Sequence, residues 1–249
     1  MRTDHIAVVT GASLGLGKAL ALTFAERGIA IAGIARNGDA LDAAFRNHSV
    51  HQVIADVSNP SEVKHAFDDI RRQIGNPTIL INNAAVYPHR DILDETPDSF
   101  MNTVNINLGG AFACCHAVLP TMVEQGHGRI INVATFADVR PAPLAAGYSV
   151  SKGAMRILTR ALLADLGDRF PRIVINDWIP GALQTRMGLA DGIPPEDAAR
   201  WGVHLALMDD PALSGRIFER NREHIPGKSL KGKIKERLLG QTRQPVRLD

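Results

Sequence analysis

Residues 10–17 read TGASLGLG and lie between a short apolar run, residues 6–10, and a stretch with helical periodicity. Glycines let a backbone come close to a pyrophosphate, and a helix start offers free N–H groups and a partial positive charge. A strand before the glycines and a helix after them distinguish a phosphate-binding loop from an ordinary tight turn. The stretch therefore predicts a nucleotide site. The expected contacts come from Gly11, Ser13, Leu14, Gly15, Leu16 and Gly17.

Apolar strand-like runs alternate with helical patterns on both sides of this loop. Strands are predicted at 6–10, 29–35, 50–55, 78–81, 129–133 and 173–179. Helices are predicted from the loop to about 27, and at 39–45, 60–74, 98–124 and 146–170. The strands are almost wholly apolar, as expected when helices cover both faces of a parallel sheet. The pattern predicts a single-domain α/β fold, a Rossmann-type doubly wound parallel sheet.

The composition is that of an ordinary globular chain with little overall charge. The chain has 249 residues, 45% of them hydrophobic, and a formal net charge of +2, so it can bury one substantial core. Its two cysteines, Cys114 and Cys115, are adjacent, and adjacent cysteines rarely bridge each other without strain, which excludes a disulfide framework. The first five residues are polar, and no run approaches the roughly 18 apolar residues of a membrane span. We expect a cytoplasmic protein without membrane association.

Positive charge is concentrated at the end of the chain. Residues 220–249 contain nine Lys or Arg and three Asp or Glu. Six of the nine form a candidate basic patch, Lys228, Lys231, Lys233, Lys235, Arg237 and Arg243. Leu230, Ile234 and Leu238 recur at helical spacing among them, which predicts an amphipathic helix. We predict a catalytic domain at 1–220 and a basic extension at 221–249 that packs on it or on a neighbouring subunit. The alternative, nucleic-acid or anionic-lipid binding, lacks the aromatic residues that single-strand recognition uses.

Further motifs follow the glycine loop in a fixed order. They are NNAA at 82–85, NLGGAF at 107–112, YSVSK at 148–152, and PG at 180–181 with Thr185. Together with TGxxxGxG they resemble the short-chain dehydrogenase/reductase family over residues 10–185. Beyond residue 190 the resemblance weakens, and no typical closing strand is evident. The resemblance implies an oxidoreductase that uses a nicotinamide cofactor and assembles as a homodimer or homotetramer through the helices at 98–124 and 146–170.

Tyr148 and Lys152 supply the pair that carbonyl reduction needs. Hydride transfer to a carbonyl leaves an alkoxide, which a phenol can protonate. A nearby ammonium stabilises the phenolate and lowers its pKa, and residues four apart share one face of a helix. By the resemblance, Lys152 also binds the nicotinamide ribose, and Asn107 supports a water-linked proton relay to Lys152. The other interpretation of Asn107 is a polar residue that kinks the long helix.

One position departs from the family pattern. The family usually has a serine thirteen residues before the tyrosine, and this chain has Thr135 there. A threonine hydroxyl can still donate to a substrate carbonyl or accept from Tyr148, while its methyl group narrows the pocket and restricts χ1. We expect Thr135 to replace the serine. The alternative is an impaired enzyme or a different substrate geometry.

The second predicted strand ends near Ala35 without the acid that binds a ribose 2′-hydroxyl in NAD enzymes. Arg36 follows instead, and a guanidinium favours a 2′-phosphate. We therefore expect NADP(H) in preference to NAD(H). The alternative is that Arg36 is an exposed loop residue, or stacks on adenine and tolerates both cofactors. The other expected cofactor contacts are Asp56, Val57, Asn83, Ala84, Ala85, Tyr148, Lys152, Pro180, Gly181 and Thr185.

These patterns predict an NADP(H)-dependent carbonyl reductase or alcohol dehydrogenase that acts on a small ketone or secondary alcohol. A non-catalytic dinucleotide-binding regulator on the same fold is the main alternative, although Tyr148, Lys152 and Asn107 are all present. No metal site is predicted, because His48 and His51 lack matching ligands. His89 and Arg90 follow the NNAA segment, where they either meet an acidic substrate or lie on a solvated loop. Residues 183–193 are expected to form a short substrate loop.

Overall fold

The computed structural model describes residues 5–225 and 244–248. In that part of the chain eight strands form one sheet. They are β1 (Ile6–Thr10), β2 (Ala30–Ala35), β3 (His51–Ile54), β4 (Ile79–Asn82), β5 (Gly128–Val133), β6 (Ile173–Ile179), β7 (Ile217–Glu219) and β8 (Arg222–Glu223). The order across the sheet is β3-β2-β1-β4-β5-β6-β7-β8. All neighbours pair in parallel except β7 and β8. The predicted doubly wound parallel sheet is confirmed.

Helices cover both faces of the sheet. They are α1 (Gly15–Glu26), α2 (Gly38–Phe45), α3 (Pro60–Gln73), α4 (Pro97–Val104), α5 (Gly110–Gln125), α6 (Ala146–Leu166) and α7 (Pro195–Leu207). One core lies between the sheet and α1, α2 and α7, and includes Phe24 and Trp178. The other lies between the sheet and α3, α5 and α6, and includes Phe67 and both cysteines, which are unpaired. Strands buried on both faces explain why their sequences are continuously apolar.

The helix predicted at 98–124 is interrupted. A π-helical turn at Asn105–Gly109 separates α4 from α5, which is a common irregularity at functional sites. The side chain of Asn105 donates to the carbonyl of Ser58 at 3.3 Å. A Cβ on Gly110 would lie 2.7 Å from Val57, so the helix approaches the loop after β3 closely. The sequence analysis predicted one continuous helix, because apolar residues continue on both sides of the turn without an intervening proline.

The run Pro97–Gln125 satisfies the length and composition of a membrane-spanning helix, which differs from the sequence expectation. The same run packs against the sheet, and Cys114, Cys115, Val118 and Met122 are fully buried there. A core helix of a globular domain meets the same length and composition criteria, so these criteria alone do not indicate a membrane-spanning helix.

The part of the chain after residue 190 was largely missed by the sequence prediction. Helix α7 packs on α1, and β7 extends the sheet beside β6. The end of the chain returns to this edge, where Leu248 is fully buried and its N–H donates to Asn221 at 2.7 Å. The basic residues and the apolar stripe predicted as an amphipathic helix lie in 226–243, outside the described residues. Helix α6 ends at Leu166 rather than near residue 170, because Gly167 and Pro171 disfavour its continuation.

Candidate active site

The glycine loop, residues 11–17, lies at the carboxyl end of β1 and leads into α1. Gly11 and Gly15 have positive φ angles of 66° and 52°, a region that residues with a Cβ rarely adopt. A Cβ on Gly17 would lie 2.2 Å from the carbonyl oxygen of Gly11, and one on Gly11 would lie 2.9 Å from the Cα of Ala84. Backbone conformation and close approach therefore both require glycine in this loop.

The start of α1 is open to an anion. Asn37, Asn59 and Thr96 cap α2, α3 and α4 through their side chains, whereas Leu14 at the start of α1 makes no side-chain cap. The first N–H groups of α1 thus lack side-chain partners. Leu16 is buried in the core, so only its backbone can contribute to binding. This uncapped helix behind a glycine-rich loop fits the pyrophosphate of a dinucleotide.

The NNAA segment holds the glycine loop in place. The Thr10 hydroxyl oxygen accepts from the N–H groups of Asn83 and Ala84, each at 3.0 Å. The Asn83 amide donates in return to the carbonyl of Thr10 at 2.9 Å. The ends of β1 and β4 are therefore tied together by three hydrogen bonds, and Asn83 and Ala84 shape the loop that a cofactor would contact.

The remaining predicted cofactor residues lie around the same edge. Thr185 sits beside the glycine loop, because a Cβ on Gly15 would lie 3.1 Å from its Cγ2. Gly181 has a φ of 93° and follows the buried Pro180 at the end of β6. The side chain of Val57 packs against α5, which leaves its backbone as the part available to a ligand.

Arg36 and Asp56 meet at the ends of β2 and β3. Arg36 Nη1 lies 3.5 Å from Asp56 Oδ2, and the Arg36 side chain is 60% exposed. Burial opposes ionisation of Asp56, but hydrogen bonds from Ser58 and the charge of Arg36 outweigh it and lower the pKa of Asp56. The ion pair holds the guanidinium at this sheet edge while most of its surface remains accessible.

Tyr148 lies between Thr135 and Tyr87. Its ring stacks on that of Tyr87, with centroids 4.4 Å apart and an interplanar angle of 29°. Burial raises the pKa of Tyr148, a hydrogen bond with Thr135 lowers it, and the neighbouring Tyr87 raises it further. The net direction is upward, opposite to the lowering that we expected from Lys152. A raised pKa keeps the phenol protonated, which suits a proton donor.

Lys152 is buried beneath the tyrosine. Its ammonium group donates to the carbonyl of Val133, at the end of β5, at 2.8 Å. Burial lowers the pKa of Lys152 to about 8, and the negative charge of Asp177 opposes this. Burial also raises the pKa of Asp177 to about 6, against the hydrogen bond that it accepts from Thr159 at 2.6 Å. In the described residues, Lys152 makes no direct hydrogen bond with Tyr148, so the two roles assigned to it remain predictions.

Asn107 occupies the middle of the π-helical turn and is fully buried. Its side chain accepts from the N–H of Val86 at 2.7 Å and donates to the carbonyl of Val86 at 3.0 Å. It also donates to the Ser151 hydroxyl at 2.9 Å, which donates to the carbonyl of Tyr148 at 2.8 Å. Asn107 thus joins the loop after β4 to the first turn of α6, and its link to Lys152 remains a prediction.

A cavity of about 520 Å³ opens on this edge of the sheet. Ala85 and Tyr87 from the loop after β4 line it, together with Arg36 just after β2, Ile106 from the π-helical turn and Arg186 from the 183–193 loop. A backbone bridge between Leu183 and Ile193 closes that loop at its base. Tyr87 lines the cavity and stacks on Tyr148, so one ring separates the cavity from the candidate proton donor.

Sequence reasoning missed several residues of this site. Ser151 lies inside the YSVSK motif, but its role depends on which turn of α6 faces Asn107. One residue separates Tyr87 from the NNAA segment. An aromatic residue at this point, three residues before Arg90, is a sequence signal for a site residue. Asp177 is an acid within an apolar strand, which is a rare pattern that signals a buried charge.

Comparisons with known proteins agree with this geometry. The sequence profile described as short chain dehydrogenase matches residues 5–191. The chain is 34% identical to 2-(R)-hydroxypropyl-CoM dehydrogenase of Xanthobacter autotrophicus, over 91% of this chain and 86% of that protein. It is 35% identical to the NAD(+)-dependent 2-dehydro-3-deoxy-L-rhamnonate dehydrogenase of Sphingomonas sp., over 72% of each.

A similar solved structure is that of a putative gluconate dehydrogenase from Agrobacterium tumefaciens. It superposes with a TM-score of 0.80 at 25% identity, over 87% of this chain and 94% of that one. The motifs between 10 and 185, the matching profile and these relatives confirm the resemblance stated from the sequence, and with it a dehydrogenase or reductase that uses a nicotinamide dinucleotide. The chain belongs to the short-chain dehydrogenase/reductase family.

Proposed function

We propose that this protein is an NADP(H)-dependent carbonyl reductase or alcohol dehydrogenase that interconverts a small ketone and a secondary alcohol. The observation that carries the proposal is the setting of Tyr148, whose pKa the Thr135 hydroxyl lowers and whose ring stacks on Tyr87, a residue that lines a cavity able to admit a small molecule. Lys152, one turn further along α6, is buried. The Sphingomonas relative is NAD(+)-dependent, so the family does not decide between the two cofactors. The preference for NADP(H) rests on Arg36.

The residues present would hold the cofactor in a definite way. The glycine loop and the uncapped start of α1 would bind the pyrophosphate, and Arg36 would bind a 2′-phosphate. When bound, the nicotinamide supplies or takes up the hydride. Lys152 would bind the adjoining ribose, where its ammonium group lies beneath Tyr148.

The chain's own contribution to the reaction is proton transfer and orientation. The Thr135 hydroxyl orients the substrate oxygen toward Tyr148. The Tyr148 hydroxyl donates its proton to that oxygen as the carbonyl becomes an alcohol. The resulting phenolate then recovers a proton from the side of the site on which Lys152 lies. Asn107 and Ser151 fix the turn of α6 that carries Tyr148, so the phenol keeps its position between turnovers.

Assembly is part of the proposal. Large apolar side chains are more than half exposed on α4, α5 and α6, at Met101, Phe112, Val150 and Ile157. Their exposure supports a homodimer or homotetramer through the helices that the sequence analysis assigned to the interface. Sedimentation of the purified protein tests this assembly, and a monomer at micromolar concentration contradicts it.

The test of the function is a spectrophotometric assay of NADPH and NADH oxidation with a panel of small ketones. The proposal predicts turnover with at least part of the panel and a higher kcat/KM with NADPH. Binding of NADPH without turnover of any carbonyl or alcohol would instead indicate the non-catalytic dinucleotide-binding alternative.

A further inference from the structure

The cavity beside the tyrosines has a strongly basic lining. Three arginines and a histidine contribute to it, Arg36, Arg90, Arg186 and His89, whereas none of the described residues that line it is an aspartate or glutamate. A concave site lined by one sign of charge concentrates ligands of the opposite sign. The lining therefore favours an anionic ligand over a neutral one.

Two of the three arginines already have partners. Arg90 pairs with Glu95 at 3.0 Å, and the Glu95 carboxylate is 5% exposed and also accepts from Ser99. Arg36 pairs with Asp56 and is assigned to the cofactor. Both charges are thus at least partly balanced within the protein.

Arg186 differs from them. It is exposed, and within residues 5–225 and 244–248 it has no ion pair or hydrogen bond through its side chain. It follows Thr185, which lies beside the glycine loop, so the guanidinium stands at the border between the cofactor cradle and the cavity. Asn102, on α4, also lines the cavity and is exposed, and its amide can donate to an anion.

The basic lining is close to the reacting group. The His89 ring packs on Tyr87 with centroids 4.3 Å apart, and Tyr87 stacks on Tyr148 at 4.4 Å. Two ring contacts therefore connect the lining of the cavity to the phenol. We therefore expect a small molecule that reaches Tyr148 past Tyr87 to place a second polar group among the arginines of the lining.

We propose that the substrate is a small oxo acid or hydroxy acid whose carboxylate is bound by Arg186, with Asn102 as a second donor. This inference rests on the proposed function and specifies its substrate class. In reduction, the carbonyl carbon gains the hydride of the reduced nicotinamide and the carbonyl oxygen gains the Tyr148 proton. The carboxylate is unchanged, and it orients the carbonyl through a bidentate pair with the guanidinium.

The test compares acids with their amides, which keep the skeleton and remove the charge. The pairs are pyruvate and pyruvamide, acetoacetate and acetoacetamide, and 4-oxopentanoate and 4-oxopentanamide. Native protein should reduce at least one acid with a kcat/KM about ten- to hundredfold above that of its amide. Arg186→Gln should abolish that preference by raising KM for the acid, with kcat, amide kinetics and the KM of the cofactor unchanged.

Two controls isolate the charge at this position. Arg186→Lys should keep part of the preference for acids. Arg200→Gln removes an exposed arginine of α7 that pairs with Asp197, and it should change nothing. Equal use of acids and amides by the native protein overturns the inference, as does an Arg186→Gln variant that keeps the preference or loses only cofactor affinity.

Calorimetric titration of the same acids and amides separates this inference from the proposed function. One outcome is that the acids bind native protein but not Arg186→Gln, and are not reduced in the presence of NADPH. That outcome supports the anion site and contradicts the proposed function. Acids that are neither reduced nor bound contradict both.

Discussion

The glycine loop and the candidate catalytic cluster lie at the same edge of one sheet, but they are built in different ways. The loop is a contiguous stretch, residues 11–17, whose function rests on backbone conformation and on the absence of side chains. The cluster combines Tyr148 and Lys152 of α6 with Asn107 of the π-helical turn and Thr135 after β5, and its proposed function rests on particular side-chain atoms. The comparison teaches that substitutions in the loop should impair cofactor binding, whereas substitutions in the cluster should impair turnover.

Tyr148→Phe is expected to give the largest effect. Positioned proton transfer contributes roughly 10²- to 10⁴-fold to rate, and phenylalanine has no proton to give. Turnover should fall by that factor, while the dissociation constant of NADPH, measured by fluorescence titration, stays close to native. A variant with more than a tenth of native turnover would refute the role of Tyr148.

Thr135→Val keeps the shape of the side chain and removes its hydroxyl. By analogy with the loss of one oxyanion donor, about 2.7–4 kcal/mol of transition-state stabilisation should disappear, which is roughly 10²- to 10³-fold in kcat. Thr135→Ser is the matched control and should remain active. If the valine variant worked as well as native protein, the hydroxyl would have no catalytic part.

Arg36→Asp tests the outer end of the cofactor site. A charge-assisted hydrogen bond contributes about 1.5–3 kcal/mol, so the preference for NADPH over NADH should fall by ten- to hundredfold, and the kcat with saturating cofactor should hold. The measurement is the ratio of kcat/KM for the two cofactors. A native preference for NADH, or a ratio that the substitution does not move, contradicts the assignment.

Gly11→Ala tests the loop itself. Alanine at positive φ costs roughly 1–2 kcal/mol, and its Cβ would also press on Ala84 at 2.9 Å, so NADPH affinity should fall about tenfold or more. Gly28→Ala is the matched control, because Gly28 also has positive φ but has nothing within 4 Å of its Cβ position. It should lose thermal stability alone. If both variants bound NADPH equally well, the conformation of the glycine loop would not contribute to cofactor binding.

The smallest expected effect is a shift in pH dependence. Burial lowers the pKa of Lys152 to about 8, so kcat/KM for reduction should fall as the pH rises through about 8 and the ammonium loses its proton. Asp177 favours the ammonium, and Asp177→Asn should therefore move this decline to lower pH. Asp165→Asn, an exposed change on α6, the helix that carries Lys152, should leave the profile in place. If Asp177→Asn left the pH of this decline in kcat/KM unchanged, Asp177 would have no effect on the protonation of Lys152.

The same contrast explains what could be predicted from the sequence. Strands β1 to β6 and the glycine loop were predicted because each is a local pattern of apolar runs and glycines. The pairing of Thr135 with Tyr148 was expected from the family resemblance alone, because no local pattern shows that the end of β5 lies beside α6. Strand β7 and helix α7 were missed because three residues of strand and a helix beginning Pro-Glu-Asp carry little periodic signal. Tertiary contacts determine whether such short elements form. Phe218 of β7, for example, is fully buried where this strand pairs with β6.

Hydride transfer is the central claim, and isotope transfer tests it most directly. NADPH deuterated on the transferred position of C4 is incubated with native protein and a ketone or oxo acid that the assay has identified, and the product is examined by mass spectrometry and NMR. The account predicts an alcohol with one deuterium at the carbinol carbon, formed far more slowly by Tyr148→Phe. NADPH oxidation that yields no deuterated alcohol, or product formed equally fast by Tyr148→Phe, would contradict it.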